Sequence, residues 1–113
     1  MHTENMLQHI ENCRTRYFQL REEERDLDFY TEVQPACEQA FIRIEMWFNE
    51  MTQWVELNRP RHIHLPQLKH TKEALEQITV QSYHRKTSRA MFLKSIQSIE
   101  YTLKTILEEA MNV

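Results

Sequence analysis

The 113-residue chain contains no glycine. Primed hairpin turns need residues that accept positive φ. The phosphate cradles of Rossmann and P-loop folds need a residue without a side chain where the backbone closes on the ligand. A glycine-free chain is therefore poorly suited to both, and the remaining class is all-α, with turns built from other residues. At this length one domain with a single core is expected. Apolar residues make up 41% of the chain and charged residues 27%, which is enough apolar material to fold and too little charge for global disorder.

Hydrophobic spacing divides the chain into four helices. Met6, Ile10, Cys13, Tyr17 and Leu20 recur at three- and four-residue steps and predict helix 1 over about residues 3–23, capped by Thr3 or Asn5. Arg14, Arg16, Glu11 and Gln19 lie outside its apolar face. A short helical turn is expected at 28–33, with Asp26 or Asp28 as its cap. Pro35 then disfavours α conformation at Gln34, so a kink or restart is predicted there.

Helix 2 follows over 35–58. The rows Cys37, Ile44, Met51; Phe41, Phe48, Val55; and Ala40, Trp47, Trp54 merge into one broad apolar face, with the tryptophans at its edge. Helix 3 is expected over 66–84, with Pro66 in its first turn and an inward face of Leu68, Thr71, Leu75, Ile78, Thr79 and Ser82. Helix 4 is expected over 88–111, capped by Thr87 or Ser88, with Phe92, Ile96, Ile99, Leu103, Ile106 and Ala110 along its seam. Four amphipathic helices with short connections predict an antiparallel four-helix bundle.

Charge changes sign along the chain. Residues 1–58 hold twelve acidic and five basic side chains, a net of −7, and residues 59–113 hold five acidic and nine basic, a net of +4. Acidic and basic helices packed as neighbours would account for this. A nucleic-acid surface is disfavoured, because the basic residues are spread over two helices and the chain is acidic as a whole. No stretch reaches the roughly 20 apolar residues of a membrane span, and the first residues lack the pattern of a secretory signal. A cytoplasmic location is expected, with Cys13 and Cys37 as buried thiols and a Cys13–Cys37 disulfide as the alternative.

Charge, proline and histidine converge at Asn58–Leu68. Several residues there and beyond carry a family resemblance: Asp28-Phe29-Tyr30, Val33, Pro35, Trp47, Arg59-Pro60-Arg61-His62-Ile63-His64 with Gln67, then Gln81-Ser82-Tyr83, Phe92, Ser98 and Tyr101-Thr102-Leu103. With these the chain resembles the YppE-like family, small uncharacterised cytosolic proteins of Bacillus-type Gram-positive bacteria. The resemblance runs from about Asp28 to Leu103 without gaps and departs at His62, where a tyrosine would be expected. It implies a four-helix bundle, implies no activity, and marks Arg59, Pro60, His64 and Tyr101 as more than arbitrary surface residues.

A four-helix bundle invites a di-iron reading, which needs a Glu-x-x-His pair on each of two helices. No histidine here has a glutamate three positions before it, so that reading fails on the sequence. His62 and His64, with His84 or Glu56, are candidate metal ligands, although the adjacent arginines disfavour a cation. Neither cysteine and none of Ser82, Ser88, Ser95 and Ser98 has the setting of a nucleophile. No catalytic residue and no cofactor is expected, and enzyme activity is disfavoured.

On the side of helix 2 opposite its core face stand Ile42, Met46 and Leu57, with Gln39 and Gln53 between them. Scattered exposed apolar residues are ordinary. The sharper reading is a protein-contact stripe, for a second copy or another helix, with Arg59, Arg61 and His64 as further contact candidates. The expected function is a non-enzymatic interaction or adaptor module. The alternative is a small-ligand or metal-binding protein with its site near the Arg59–His64 turn.

Overall fold

The computed structural model describes residues 2–111. Among them there is no strand, and four helices run α1 (Thr3–Glu22), α2 (Gln34–Asn58), α3 (Leu65–Gln81) and α4 (Arg89–Met111). Several of the ends follow from local chemistry. After α1 the chain closes a Schellman motif: Glu24 N–H donates to the Arg21 carbonyl at 3.2 Å and Arg25 N–H to the Leu20 carbonyl at 3.0 Å. Glu24 takes the left-handed position of that motif with φ 50°.

The short helical turn is a π-helical one, Phe29–Val33, and Asp28 caps it by accepting from Thr31 N–H at 2.8 Å. Asp26 is not the cap and bonds Arg85 instead. The turn runs directly into α2, where Gln34 N–H reaches back to the Phe29 carbonyl. Pro35 has no N–H, and its ring crowds the carbonyl four residues back. A wider turn immediately upstream relieves that conflict.

The other end of α2 is closed by Arg59 in the left-handed conformation, φ 46° and ψ 58°, with its N–H on the Val55 carbonyl at 2.8 Å. α3 stops at Gln81, short of the expected His84, because successive three-residue turns take over at Tyr83 and His84 and again at Thr87. Ser88 caps α4 through its hydroxyl to Met91 N–H, 3.4 Å.

Long-range contacts give the order of packing. Thr3 meets Trp47, Lys72 meets Glu45, and Tyr17 stacks on Phe92 with ring centroids 4.3 Å apart. α2 lies mainly against α3, and α4 lies against both α1 and α3. The result is an antiparallel bundle 46 Å long. The predicted inward residues of α3 and α4 are buried, except that Ala110 is half-buried.

Two further expectations are corrected. Trp47 lies in the centre of the core, fully buried, and only Trp54 lies at its edge. Thr3 does not cap α1, since its hydroxyl accepts from Trp47 Nε1 at 3.2 Å and donates to Met51 Sδ at 3.4 Å. The partner that a buried indole N–H requires thus comes from the first residue of another helix.

The acidic and basic parts of the chain meet on the surface of the bundle. Lys72 of α3 bonds Glu45 of α2 at 3.0 Å, and Arg85 bonds Asp26 at 2.9 Å. Internal pairing accounts for part of the charge asymmetry without an external acidic partner.

Candidate functional site

The Arg59–His64 turn lies at one end of the bundle and is anchored on three sides. Pro60 and Ile63 are buried, Ile63 completely. His62 N–H donates to Glu109 of α4 at 2.9 Å. His64 N–H donates to Gln67 Oε1 at 3.4 Å across the first turn of α3. Arg61, His62, Thr105, Glu108 and Glu109 surround a hollow of about 310 Å³. The basic turn therefore rests on acidic side chains of α4; both imidazoles are exposed, and that of His62 keeps its Nε2 3.9 Å from Glu109 Oε1.

His84 is not part of this end. It follows α3, whose 17 residues span about 25 Å at 1.5 Å each, so it stands at the opposite end from His62 and His64. Among the described residues no three His, Cys, Asp or Glu converge to hold a metal ion. The proposed grouping of His62, His64 and His84 is not formed.

A second polar centre was not visible in the sequence. His9 and Cys13 of α1 are buried against Thr79 and Ser82 at the end of α3. Thr79 Oγ1 donates to the Leu75 carbonyl at 2.7 Å, so it must accept from His9 Nε2–H, also 2.7 Å away. Ser82 Oγ donates to the Thr79 carbonyl at 2.7 Å and accepts from Arg16 Nε at 3.2 Å. The Arg16 guanidinium lies over the Tyr83 ring, 4.0 Å from its centroid. Arg16 was expected outside the apolar face, yet its head group reaches back to close this cluster.

These assignments decide the chemistry of the cluster. Cys13 Sγ is 3.6 Å from His9 Nε2, the contact of a thiol–imidazole pair. That nitrogen already carries the proton given to Thr79, so it cannot take one from the thiol. Burial, reinforced by the Arg16 and Arg43 guanidiniums, lowers the His9 pKa from 6.5 to about 4. Burial also pushes the Cys13 thiol up, against the opposing pull of Arg16, Ser82 and Thr79. The cluster is a hydrogen-bonded lock between α1 and α3 holding a neutral imidazole and a protonated thiol. Cys13 and Cys37 are both free and buried, with no disulfide between them.

A groove of about 570 Å³ runs between α3 and α4, with His70, Glu73 and Gln77 on one wall and Lys94, Ser95 and Ser98 on the other. Its walls are mixed in charge. The expected stripe on α2 is exposed throughout: Ile42 is 62% exposed, Met46 51% and Leu57 83%. No helix among the described residues is long and apolar enough to cross a membrane.

Comparison with known proteins places this geometry. The family model of a bacterial domain of unknown function, DUF1798, matches residues 3–110. The chain belongs to the DUF1798 family. Within it, the chain is 24% identical over 107 residues to the uncharacterised protein YppE of Bacillus subtilis, covering 95% of this chain and 87% of that one. The crystal structure of YppE superposes with a TM-score of 0.89 at 24% identity, covering 97% of this chain and 89% of YppE. A protein of unknown function from Listeria innocua gives 0.86 at 27% identity, covering 92% and 83%. A DUF1798 domain from Staphylococcus aureus gives 0.80 at 23%, covering 95% and 90%. The YppE-like resemblance read from the residues is thus a family membership, and the DUF1798 relatives share the bundle across nearly its whole length.

Proposed function

We propose that this DUF1798 protein is a non-enzymatic protein-interaction module of the cytoplasm that works through the outward face of α2. The supporting observation is the exposure of Ile42, Met46 and Leu57 on a helix whose opposite face forms the core. Large apolar side chains aligned on one exposed helix face present a row of anchors of the kind that bind a second helix. Two buried free thiols agree with a reducing compartment. Arg59, Arg61 and His64, exposed at the end of the same helix, would flank such a contact.

The test places a photo-cross-linking residue at Met46 in living cells. The expected outcome is a covalent adduct with a protein, lost when Ile42→Glu and Leu57→Glu are introduced while the helical signal is unchanged. An adduct pattern indifferent to those changes, or none at all, would overturn the reading. The alternative, a small-ligand site at the Arg59–His64 turn, is supported less. The hollow there is small, and His62 and its acidic neighbour Glu109 already bond to each other.

A further inference from the structure

We infer that the partner of the α2 face is a second copy of this chain, bound antiparallel about a twofold axis that crosses α2 beside Trp47 and Phe48. The inference rests on the interaction reading above and commits it to one occupant. Along the outward side of α2, Gln39, Ile42, Met46, Asn49 and Gln53 are all exposed and follow one another at steps of three, four, three and four. That is the spacing of a coiled-coil seam. The seam bears no charge, so another helix can lie along it without burying an unpaired ion.

The residues beside the seam decide orientation. On its α1 side, Arg43 and Glu50 stand seven residues apart, and Ala36 and Leu57 lie one further heptad out on either side. A twofold axis makes an isologous contact, in which each position before the axis meets the equivalent position after it on the other copy. With Met46 facing Asn49 and Ile42 facing Gln53, Arg43 falls against the second copy's Glu50, and the reverse pair forms by symmetry. Leu57 falls against the second copy's Ala36, which gives the most exposed member of the stripe an apolar seat. On the other side of the seam Glu45 meets Thr52, so no like charges are opposed.

Other arrangements lose this match. A parallel pair sets Glu45 against Glu50. An antiparallel pair centred between Ile42 and Met46 sets Arg43 on Arg43 and Glu45 on Glu45. Arg43 has no ion-pair partner within its own chain among the described residues, so it is available to the second copy. The Glu50 carboxylate is held in place by His2.

A seam this short and this polar falls below the usual area of a stable interface, so the dimer is expected to dissociate on dilution and with added salt. Sedimentation equilibrium of the full chain tests the inference. The wild type should dimerise with concentration. Arg43→Glu and Glu50→Arg alone should each weaken the dimer by about tenfold or more, because each change spoils two symmetric pairs. The Arg43→Glu/Glu50→Arg double variant should recover it. In a parallel dimer Glu50→Arg would instead strengthen association. As a second measurement, a Met46→Cys chain mixed with an Asn49→Cys chain should form a mixed disulfide in preference to either homodimer.

A wild type that stays monomeric, or a double variant without recovery, overturns the inference. If self-association is absent but the Met46 cross-link to another protein persists, only the second copy is wrong and the interaction reading stands. If neither association occurs, both fall.

Discussion

Glu24 and Arg59 occupy backbone positions that side-chain-bearing residues seldom take. Their φ values of 50° and 46° bring Cβ close to the following carbonyl, a conformation that costs roughly 1–2 kcal/mol for an L-residue and almost nothing for glycine. Glu24 sits in a Schellman motif, where glycine is the usual occupant. Arg59 is further constrained by Pro60 after it. Glu24→Gly and Arg59→Gly should therefore each raise stability by about 0.5–1 kcal/mol, the steric relief exceeding the extra entropy of the unfolded chain. Urea denaturation should show a higher midpoint with an unchanged slope. The missing glycine, read in the sequence as evidence for helices, leaves a local cost at two of the turns.

At the scale of elements, α1 is fastened by contacts other than its apolar stripe. Thr3 satisfies the Trp47 N–H of α2, and Arg16 and His9 meet Ser82 and Thr79 of α3. Thr3→Val keeps the shape of the side chain and leaves a buried indole N–H without its acceptor, which should cost about 1–3 kcal/mol. In a double-mutant cycle with Trp47→Phe, the Thr3→Val penalty should largely vanish. Additive penalties would show that the bond is not what Thr3 contributes.

The elements themselves were readable because their apolar residues recur at helical spacing, as along Phe92–Ile106. What was not readable is which helices touch. Thr79 and Ser82 looked like small residues admitting a close neighbour, but their hydroxyls are aimed at His9 and Arg16. The one available signal was His9, a polar residue on the same face as Ile10 and Cys13. Spacing places it on that face without naming what it meets across the bundle. Trp47 was assigned to an edge because a helical wheel shows direction but not the depth to which neighbours enclose a side chain.

For the whole molecule, the His9 cluster links folding to pH. The imidazole has a pKa of about 4 in the native state against 6.5 when free. Above pH 6.5 it is neutral in both states and contributes no pH dependence. As pH falls from 6.5 towards 4, the unfolded chain takes up a proton that the folded chain refuses, so stability declines, by up to about 3 kcal/mol. His9→Asn removes the titrating group, so its stability should fall less steeply across that window than that of the wild type, as urea midpoints at several pH values would show. Equal slopes would mean that His9 is not held neutral. The charge halves also belong to this scale. They were legible as numbers in the sequence, but only the fold shows that Asp26–Arg85 and Glu45–Lys72 join them.

The two left-handed residues carry a further consequence, one of chirality. They stand at opposite ends of the 46 Å bundle, Glu24 after α1 and Arg59 after α2, and φ is positive nowhere else among the described residues. A mirror-image amino acid prefers the backbone geometry that an ordinary one avoids. In a chemically synthesised chain, D-glutamate at position 24 and D-arginine at position 59 would keep their charge while matching the turn. The same inversion inside any of the four helices would break it.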